Sequence, residues 1–290
     1  MKNFTSCTPG VFAKATDLLK SKVAVLFAAV LMLISGLANA QSTASYTFAT
    51  NAIGSLAADM NANTIDMTTG TTGLVTTTSS DQGVSSVTNI GFDFYLMGNR
   101  YTQFSVSANG IVQLGSTLVS GSTYVASGGT TTSPKISAFA ADLGTGTTGS
   151  ILSKVVGTGP SRCLVIEFKN MTLLWTSAYT NDGTFQVRLY ESTGVIEFVY
   201  GAMSITSTGS ATDATVGIGF STNTTTNNIA WITSSTNASS VTASFTDNAT
   251  YSTGAITNLN SASPTAIIWK TTALPSQPNN RKCVYPWAHL

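Results

Sequence analysis

The stretch Thr184–Gly201, TFQVRLYESTGVIEFVYG, contains two runs of alternating residues joined by a short turn. Successive side chains of a strand point to opposite faces, so the apolar residues of 185–189 share one face, and those of 196–200 do likewise. A turn around 192–194 sets these two apolar faces opposite each other. A shift of one residue would bury the Glu197 carboxylate. The stretch therefore predicts a β-hairpin with a fixed register.

Shorter runs of the same kind follow one another along the chain, separated by turns rich in Gly, Asn and Ser. The dipeptide Asn109-Gly110 indicates a tight type I′ hairpin between 104–107 and 111–114. Residues 135–141 are small or apolar on both faces, which is typical of a strand covered on both sides. The other candidate strands are 46–53, 65–75, 87–94, 101–107, 150–156, 163–170, 215–220, 229–232, 241–245 and 266–270.

No stretch after residue 40 has a sustained helical period with caps. Many short strands separated by turns predict an all-β fold, a two-sheet β-sandwich of jelly-roll type. Residues 41–274 form this predicted domain. Residues 275–290, rich in Pro and Asn, are interpreted as a tail or linker end.

The first 40 residues have the pattern of a cleaved, helical secretory signal peptide. A leader with four lysines precedes a largely apolar run of 15 residues, 23–37, and Ala38-Asn39-Ala40 then provides a small-x-small cleavage site. A membrane anchor would need about 20 apolar residues, and this run ends earlier. We therefore expect an exported protein with no stable membrane span after cleavage.

Charged residues make up only 9% of the chain, against about 25% in an average globular domain. The surface must therefore be covered by Ser, Thr, Asn and Gly. After residue 40, acidic residues outnumber basic residues by two, and the basic residues form no cluster beyond Arg281-Lys282. This balance excludes nucleic acid as an expected partner, while 42% hydrophobic residues provide enough for a core.

Two cysteines, Cys163 and Cys283, remain after the signal peptide. An even number in an exported chain favours a disulfide. Within 163–169 the alternation places Cys163 on the polar face, with Glu167 and Lys169. We therefore predict that the thiol faces outward and bonds to Cys283.

Several segments, taken in order, resemble nidogen-like extracellular domains. The resemblance rests on an opening strand, IGFDF at 90–94, followed by the SANG turn at 107–110. Residues 136–142 resemble a buried aromatic–acidic segment of that family, and 166–170 with 184–187 resemble its paired central strands. The same pattern is similar to amino-terminal modules of secreted or surface proteins of Bacteroidota-type bacteria.

This resemblance implies adhesion or surface presentation without catalytic residues. One departure is the pair Ala140-Ala141 before Asp142, where the family often has Trp. We therefore expect a secreted or bacterial cell-surface module that is not an enzyme. Its expected partner is an extracellular protein or glycan surface, and self-association is an open alternative. A carbohydrate-binding domain, a surface-layer or filament subunit and a jelly-roll glycoside hydrolase are further alternatives.

The search for catalytic chemistry yields few candidates. The single histidine, His289, stands beside the end of the sequence, so no His-based triad or zinc site is expected. Calcium needs only oxygen ligands, which 142–144 and 181–183 could supply. Because Asp and Asn before Gly are ordinary turn formers, we interpret both as turns and expect no cofactor.

A glycoside hydrolase would need two carboxylates about 5–10 Å apart across a groove. Glu167 and Glu197 are the candidates, each on a polar strand face. The alternative, which we favour, is that they are solvated partners of Lys169 and Arg188 in ion pairs across strands.

Candidate ligand-binding residues are aromatic or acidic residues in polar segments, where a sugar-binding face would place them. These residues are Trp175, Tyr179, Asp182 and Trp231. The alternative for the aromatic residues is that they belong to the core or cover a sheet end.

Overall fold

A computed structural model describes residues 46–123, 133–173, 178–203, 217–223, 228–233, 242–244 and 265–271. For residues 48–53, 217, 222–223, 228–233, 242–244 and 265–271 only the backbone is described. The predicted signal peptide and the predicted tail lie outside the described residues, as do Trp175 and Cys283.

The described residues form β-strands and contain no helix. The strands are β1 (Tyr46–Ile53), β2 (Thr72–Val75), β3 (Thr88–Leu96), β4 (Asn99–Ser107), β5 (Ile111–Leu114), β6 (Lys135–Ala140), β7 (Gly144–Val156), β8 (Cys163–Thr172), β9 (Gly183–Tyr190), β10 (Ile196–Met203), β11 (Gly217–Asn223), β12 (Asn228–Thr233), β13 (Thr242–Ser244) and β14 (Thr265–Thr271).

These strands form two antiparallel sheets of seven strands each. The first sheet has the order β1-β14-β10-β9-β8-β7-β2, and the second has the order β13-β12-β11-β6-β5-β4-β3. Strands β7 to β10 are consecutive neighbours in the first sheet, as β3 to β6 are in the second. The predicted all-β, two-sheet sandwich is confirmed.

Aromatic side chains from both sheets fill the space between the inner faces. Phe185 of the first sheet stacks on Phe168 at 4.6 Å between ring centroids and lies 6.0 Å from Phe139 of the second sheet. The Tyr200 hydroxyl donates a hydrogen bond of 2.6 Å to the carbonyl of Ala138. Because this bond joins β10 to β6, it fixes the two sheets relative to each other.

The hairpin of β9 and β10 has the predicted register. Leu189 lies opposite Ile196, and Val187 lies opposite Phe198, with all four side chains in the core. The alternation of apolar residues therefore determines the register, because a slip of one residue would place a carboxylate in this layer.

The loops of the second sheet differ from the prediction. Between β4 and β5 Ser107 pairs with Ile111, which leaves a three-residue loop in which Gly110 alone has a positive φ, of 79°. A type I′ turn needs two positive φ angles, and it occurs instead between β3 and β4, at Met97 (52°) and Gly98 (74°).

Residues 144–149 contain three glycines, but they do not form a turn. They are the first part of β7, which runs from Gly144 to Val156. Thr145 pairs with Met171 and Ser150 pairs with Lys169, so β7 carries extra residues in a bulge at 146–149. The glycines serve this bulge, because side chains at Gly146 or Gly149 would collide with the carbonyl of Asn170.

Residues 54–70, which we call the strap, cross the outer face of the first sheet. Ile65 and Met67 of the strap pack in a second apolar cluster with Val165 and Val199 of the sheet. Lys154 donates hydrogen bonds of 2.7 Å to two strap carbonyls, those of Asp66 and Thr69. The first sheet is therefore covered on both faces.

The strap also changes the environment of Cys163. The thiol was predicted to face outward, and it does lie on the face opposite the core, but it is fully buried there in the second apolar cluster. Its exposure was predicted wrongly because the strap covers that face. The bond to Cys283, which lies outside the described residues, stays a prediction.

Candidate functional site

A network of buried polar side chains lies on the outer face of the first sheet, beneath the strap. We call it the Arg188 network; it consists of Glu167, Gln186, Arg188, Tyr190 and Glu197. The residues belong to the three adjacent strands β8, β9 and β10, and they lie together because all face away from the core.

An ion pair forms the centre of the network. Arg188 lies directly opposite Glu197, and its Nη1 is 3.1 Å from Oε2 of that carboxylate. The Tyr190 hydroxyl donates a hydrogen bond to the same oxygen. Burial raises the pKa of Tyr190, so its hydroxyl keeps the proton that it donates.

Gln186 connects the ion pair to the second carboxylate. Its Oε1 accepts a hydrogen bond of 2.9 Å from Nε of Arg188, and its Nε2 donates one of 2.7 Å to Glu167. The amide thus carries the hydrogen-bonded chain from β10 to β8. Polar groups can remain buried when each has a hydrogen-bond partner, as in this chain of bonds.

The network holds the strap through backbone groups. Arg188 donates to the carbonyls of Ala58, at 2.9 Å, and Ser55, while Gln186 donates to the carbonyl of Leu56 at 3.2 Å. The backbone of the strap returns one bond, from the amide of Met60 to the Tyr190 hydroxyl. On an uncovered sheet the side-chain donors of Arg188 and Gln186 could bind a ligand. Here they are hydrogen-bonded to the strap.

The expectation of solvated ion pairs is therefore wrong in two respects. Glu197 does pair with Arg188, but their side chains are 4% and 0% exposed. Glu167 is also buried and bonds to Gln186, whereas the expected partner was Lys169. The sequence shows which face of a strand is polar, but it does not show that another segment covers that face.

A second group of polar residues surrounds Tyr179 at one end of the first sheet. The ring of this half-buried residue packs against Gly144, where a Cβ would lie only 3.0 Å from Cε1. Exposed Asn181 lies nearby in sequence and accepts a bond of 3.1 Å from the amide of Thr148. The Asn181 amide donates to Thr147 Oγ1 at 2.8 Å. The name Tyr179 end is used below for five residues: Tyr179, Gly144, Thr147, Thr148 and Asn181.

Asp182 has a structural position at the Tyr179 end. Its buried carboxylate accepts a hydrogen bond of 3.0 Å from the amide of Leu173, and its own amide donates to the carbonyl of Met171 at 2.8 Å. These bonds close the connection from β8 to β9. Residues 181–183 were interpreted as a turn, but Gly183 is already the first residue of β9. No three His, Cys, Asp or Glu residues lie close enough for a metal site within the described ranges.

No described contact places the other two predicted ligand-binding residues, Trp175 and Trp231, at the Tyr179 end. Trp175 lies in the undescribed segment 174–177. Trp231 lies on β12 of the other sheet, where its backbone is opposite Gly219 on one side and Ser244 on the other. The structure therefore places Tyr179 and Asp182 together and Trp231 in the other sheet.

A family model described as NIDO related matches residues 55–271, which is more than half of the chain. The chain belongs to this nidogen-related family. The matched part of the nidogen-related domain begins in the strap and ends at the last residue of β14, so it contains the Arg188 network and the Tyr179 end. Nidogen-related domains are typically extracellular.

Two other comparisons of the nidogen-related chain, with curated proteins and with solved structures, gave no significant match. A helix long and apolar enough to cross a membrane is absent from the described residues of the nidogen-related domain.

Sequence reasoning missed one further polar group of the nidogen-related domain. Lys135 at the start of β6 is buried, and its Nζ has no hydrogen-bond partner. The available signal was a lysine beginning a strand whose other residues are apolar or small, KISAFA.

Proposed function

We propose that this chain is an exported adhesion or interaction module without catalytic activity, acting as a secreted or bacterial cell-surface protein. Its partner in this proposal is an extracellular protein or glycan surface. The family match supports the extracellular role. A surface with few charges and many hydroxyl and amide groups supports binding through neutral polar contacts.

The observation that carries the proposal is the burial of the Arg188 network beneath the strap. Carboxylates in a hydrolase must reach a substrate, but Glu167 and Glu197 are buried and bonded to protein groups. The strap covers the sheet face on which they lie. We therefore assign binding to the Tyr179 end, where Thr147, Thr148 and Asn181 are exposed.

The test uses residues 41–290, immobilised and exposed to panels of extracellular matrix proteins and glycans. Tyr179→Ala should reduce binding at least about tenfold, the effect of losing one aromatic anchor residue at an interface. Tyr95→Ala, at a similarly half-exposed tyrosine on β3 of the other sheet, is the matched control. Unchanged binding by Tyr179→Ala, or equal loss in both variants, would contradict the assignment.

Carbohydrate binding is a second candidate function. It is favoured by the half-buried Tyr179 ring beside the exposed amide of Asn181 and the Thr147 hydroxyl, since sugars bind to aromatic rings flanked by polar groups. Glycan-array binding that disappears in both Tyr179→Ala and Trp175→Ala would favour this function. Binding restricted to proteins would favour the first.

The alternatives of a glycoside hydrolase and of a self-associating subunit have their own tests. Hydrolysis of a polysaccharide that Glu167→Gln or Glu197→Gln abolishes would make the protein a glycoside hydrolase. A polymer that grows with protein concentration in light scattering would instead indicate a surface-layer or filament subunit.

A further inference from the structure

The N-terminal strand and the strap together extend across the first sheet. Strand β1 forms one edge of that sheet, and β2 forms the other. The strap lies between these two strands in the sequence, so it must pass from one edge to the other. On the way it is hydrogen-bonded to Arg188 of β9 and then to Lys154 of β7. We call β1 and the strap together, residues 46–70, the arm.

The partners of the arm are distant from it in the sequence. Tyr46 pairs with Thr271 of β14, and its ring lies 4.9 Å from that of Phe220 in the other sheet, measured between centroids. Further along the arm, the side-chain amide of Asn61 donates a hydrogen bond of 3.2 Å to the carbonyl of Ser161. The strand that follows the arm, β2, pairs with β7 instead. These contacts therefore join the arm to segments that come much later in the chain.

The strap also has hydrogen bonds within itself. The amide of Ile65 donates to the carbonyl of Ala57 at 2.8 Å. Between them, the Asp59 carboxylate accepts bonds from the amides of Asn61 and Asn63, at 2.9 and 2.8 Å. Because these bonds do not involve the sheet, the strap can keep its conformation when it is moved as a unit.

The sheet face beneath the strap requires a cover. The Arg188 side chain is buried and donates to the carbonyls of Ser55 and Ala58. Without the strap, the apolar side chains of Val165 and Val199 would also face water. The arm of a second copy offers the same carbonyls and apolar side chains in the same order. It is therefore an occupant that fits this face in full.

We propose that the arm exchanges between two copies of this chain, so that the arm of each copy covers the first sheet of the other. Exchange keeps the contacts between the arm and the sheet, because both copies have the same sequence, and it changes only the connection at 70–71. Gly70 in this connection has a positive φ of 64°, and glycine adopts other backbone conformations at little steric cost. The exchanged dimer is independent of the Tyr179 end and does not rest on the adhesion proposal.

A shortened connection tests the exchange in residues 41–290. Deletion of residues 68–71 bonds Met67 directly to Thr72, and Cα atoms joined by one peptide are about 3.8 Å apart, less than the spacing of about 4.8 Å between neighbouring strands. Met67 packs with Val165 of β8, two strands away from β2, so the shortened arm cannot cover its own sheet. At about 10 µM this variant should be a dimer in light scattering. The wild type should be mainly monomeric, because a short flexible connection gives an effective concentration in the millimolar range.

The matched control changes the same connection in the opposite direction. Insertion of Gly-Ser-Gly-Ser after Gly70 leaves the arm free to cover its own sheet, so this variant should remain monomeric at the same concentration.

An engineered cysteine pair shows whether a dimer has exchanged its arms. Thr47, which is exposed, pairs with Lys270 across β1 and β14, and the Cα atoms of such a pair are close enough for a disulfide. Thr47→Cys with Lys270→Cys should therefore form a bond within one copy in the monomer and between copies in the exchanged dimer. On a non-reducing gel, the deletion variant should run as a covalent dimer and the insertion variant as a monomer. The same variants without the engineered pair control for Cys163 and Cys283.

Refolding from urea keeps the test valid should the deletion variant fold poorly. With the intact connection and the cysteine pair, the covalent dimer should increase from a trace at about 10 µM to a large share at about 1 mM. A deletion variant that folds as a monomer, a dimer without disulfides between its copies, or no covalent dimer at the highest refolding concentration would overturn the proposal.

Discussion

Arg188 and Glu197 face each other across β9 and β10 at 3.1 Å between Nη1 and Oε2, and both side chains are buried. The same guanidinium also donates to Gln186 and to two carbonyls of the strap. A single side chain therefore connects two strands and the segment that covers them.

Arg188→Met should lower the free energy of unfolding by about 3–5 kcal/mol, because it leaves the buried Glu197 carboxylate without its cation. Urea denaturation at pH 7 measures this loss. Adding Glu197→Gln to this variant should recover part of it, which a double-mutant cycle detects.

The matched control is Arg100→Met, which breaks the ion pair of Arg100 and Asp93 at 2.7 Å. Both side chains of that pair are about half exposed, so the free energy of unfolding should hardly change. Equal losses at Arg188 and Arg100 would contradict the role assigned to burial.

Gly110→Ala should destabilise the domain more than Gly115→Ala. Both glycines have positive φ, 79° and 104°, so each substitution costs about 1–2 kcal/mol in backbone strain. A Cβ at Gly110 would also lie 1.9 Å from the carbonyl oxygen of Phe139, whereas nothing lies within 4 Å of a Cβ at Gly115. The clash should add about 1–3 kcal/mol at Gly110, measured by urea denaturation. Equal costs would refute the close contact.

Asp66 should stabilise the turn at the end of the strap only above acidic pH. Hydrogen bonds from the side chain and amide of Thr68, and from Thr69, lower its pKa from 3.8 to about 2. Since the folded state holds the proton less tightly, this contribution is complete above about pH 4 and is lost as the pH falls towards 2.

An NMR titration of the Asp66 carboxyl group measures this pKa. Thr68→Val should return the value towards 3.8, and Asp66→Asn should flatten the acid limb of the curve of Tm against pH. A wild-type value near 3.8 would show that the turn does not hold the carboxylate.

Iodoacetamide should leave Cys163 unmodified in the folded protein at pH 8. The thiol is buried, and burial raises its pKa, so the reactive thiolate is absent. After unfolding in urea, alkylation of Cys163 that requires a reductant would show its predicted bond to Cys283. Alkylation without a reductant would contradict that bond.

The part of the fold that follows from alternation could be predicted. Apolar residues at every second position fix the pairing of Leu189 with Ile196, whatever covers the other face. The conformation of the loop at Asn109 could not be predicted, because it depends on contacts with residues distant in sequence. The buried Asn109 side chain accepts a bond from the amide of Leu143 and donates to the carbonyl of Gly121, and the three-residue loop places it there.

The candidate sites were harder to predict, since a polar strand face has the same sequence pattern in water and under a covering segment. Ile65 and Met67 fall within the candidate strand 65–75, and Leu56 lies apart from them, so the pattern predicted a strand there and did not identify the strap. Lys135 could be placed on a strand, but the absence of a hydrogen-bond partner for its Nζ is a property of the folded sheet and cannot be read from the sequence.

The strap has a consequence for the order in which the chain can fold as it emerges with its N-terminus first. Ser55 is 133 residues ahead of Arg188, to which it is hydrogen-bonded. Strand β1 must likewise wait for β14, since Tyr46 pairs with Thr271. The earliest segments to appear thus depend on the latest ones. Completion of the sandwich is therefore delayed until nearly the whole domain is available.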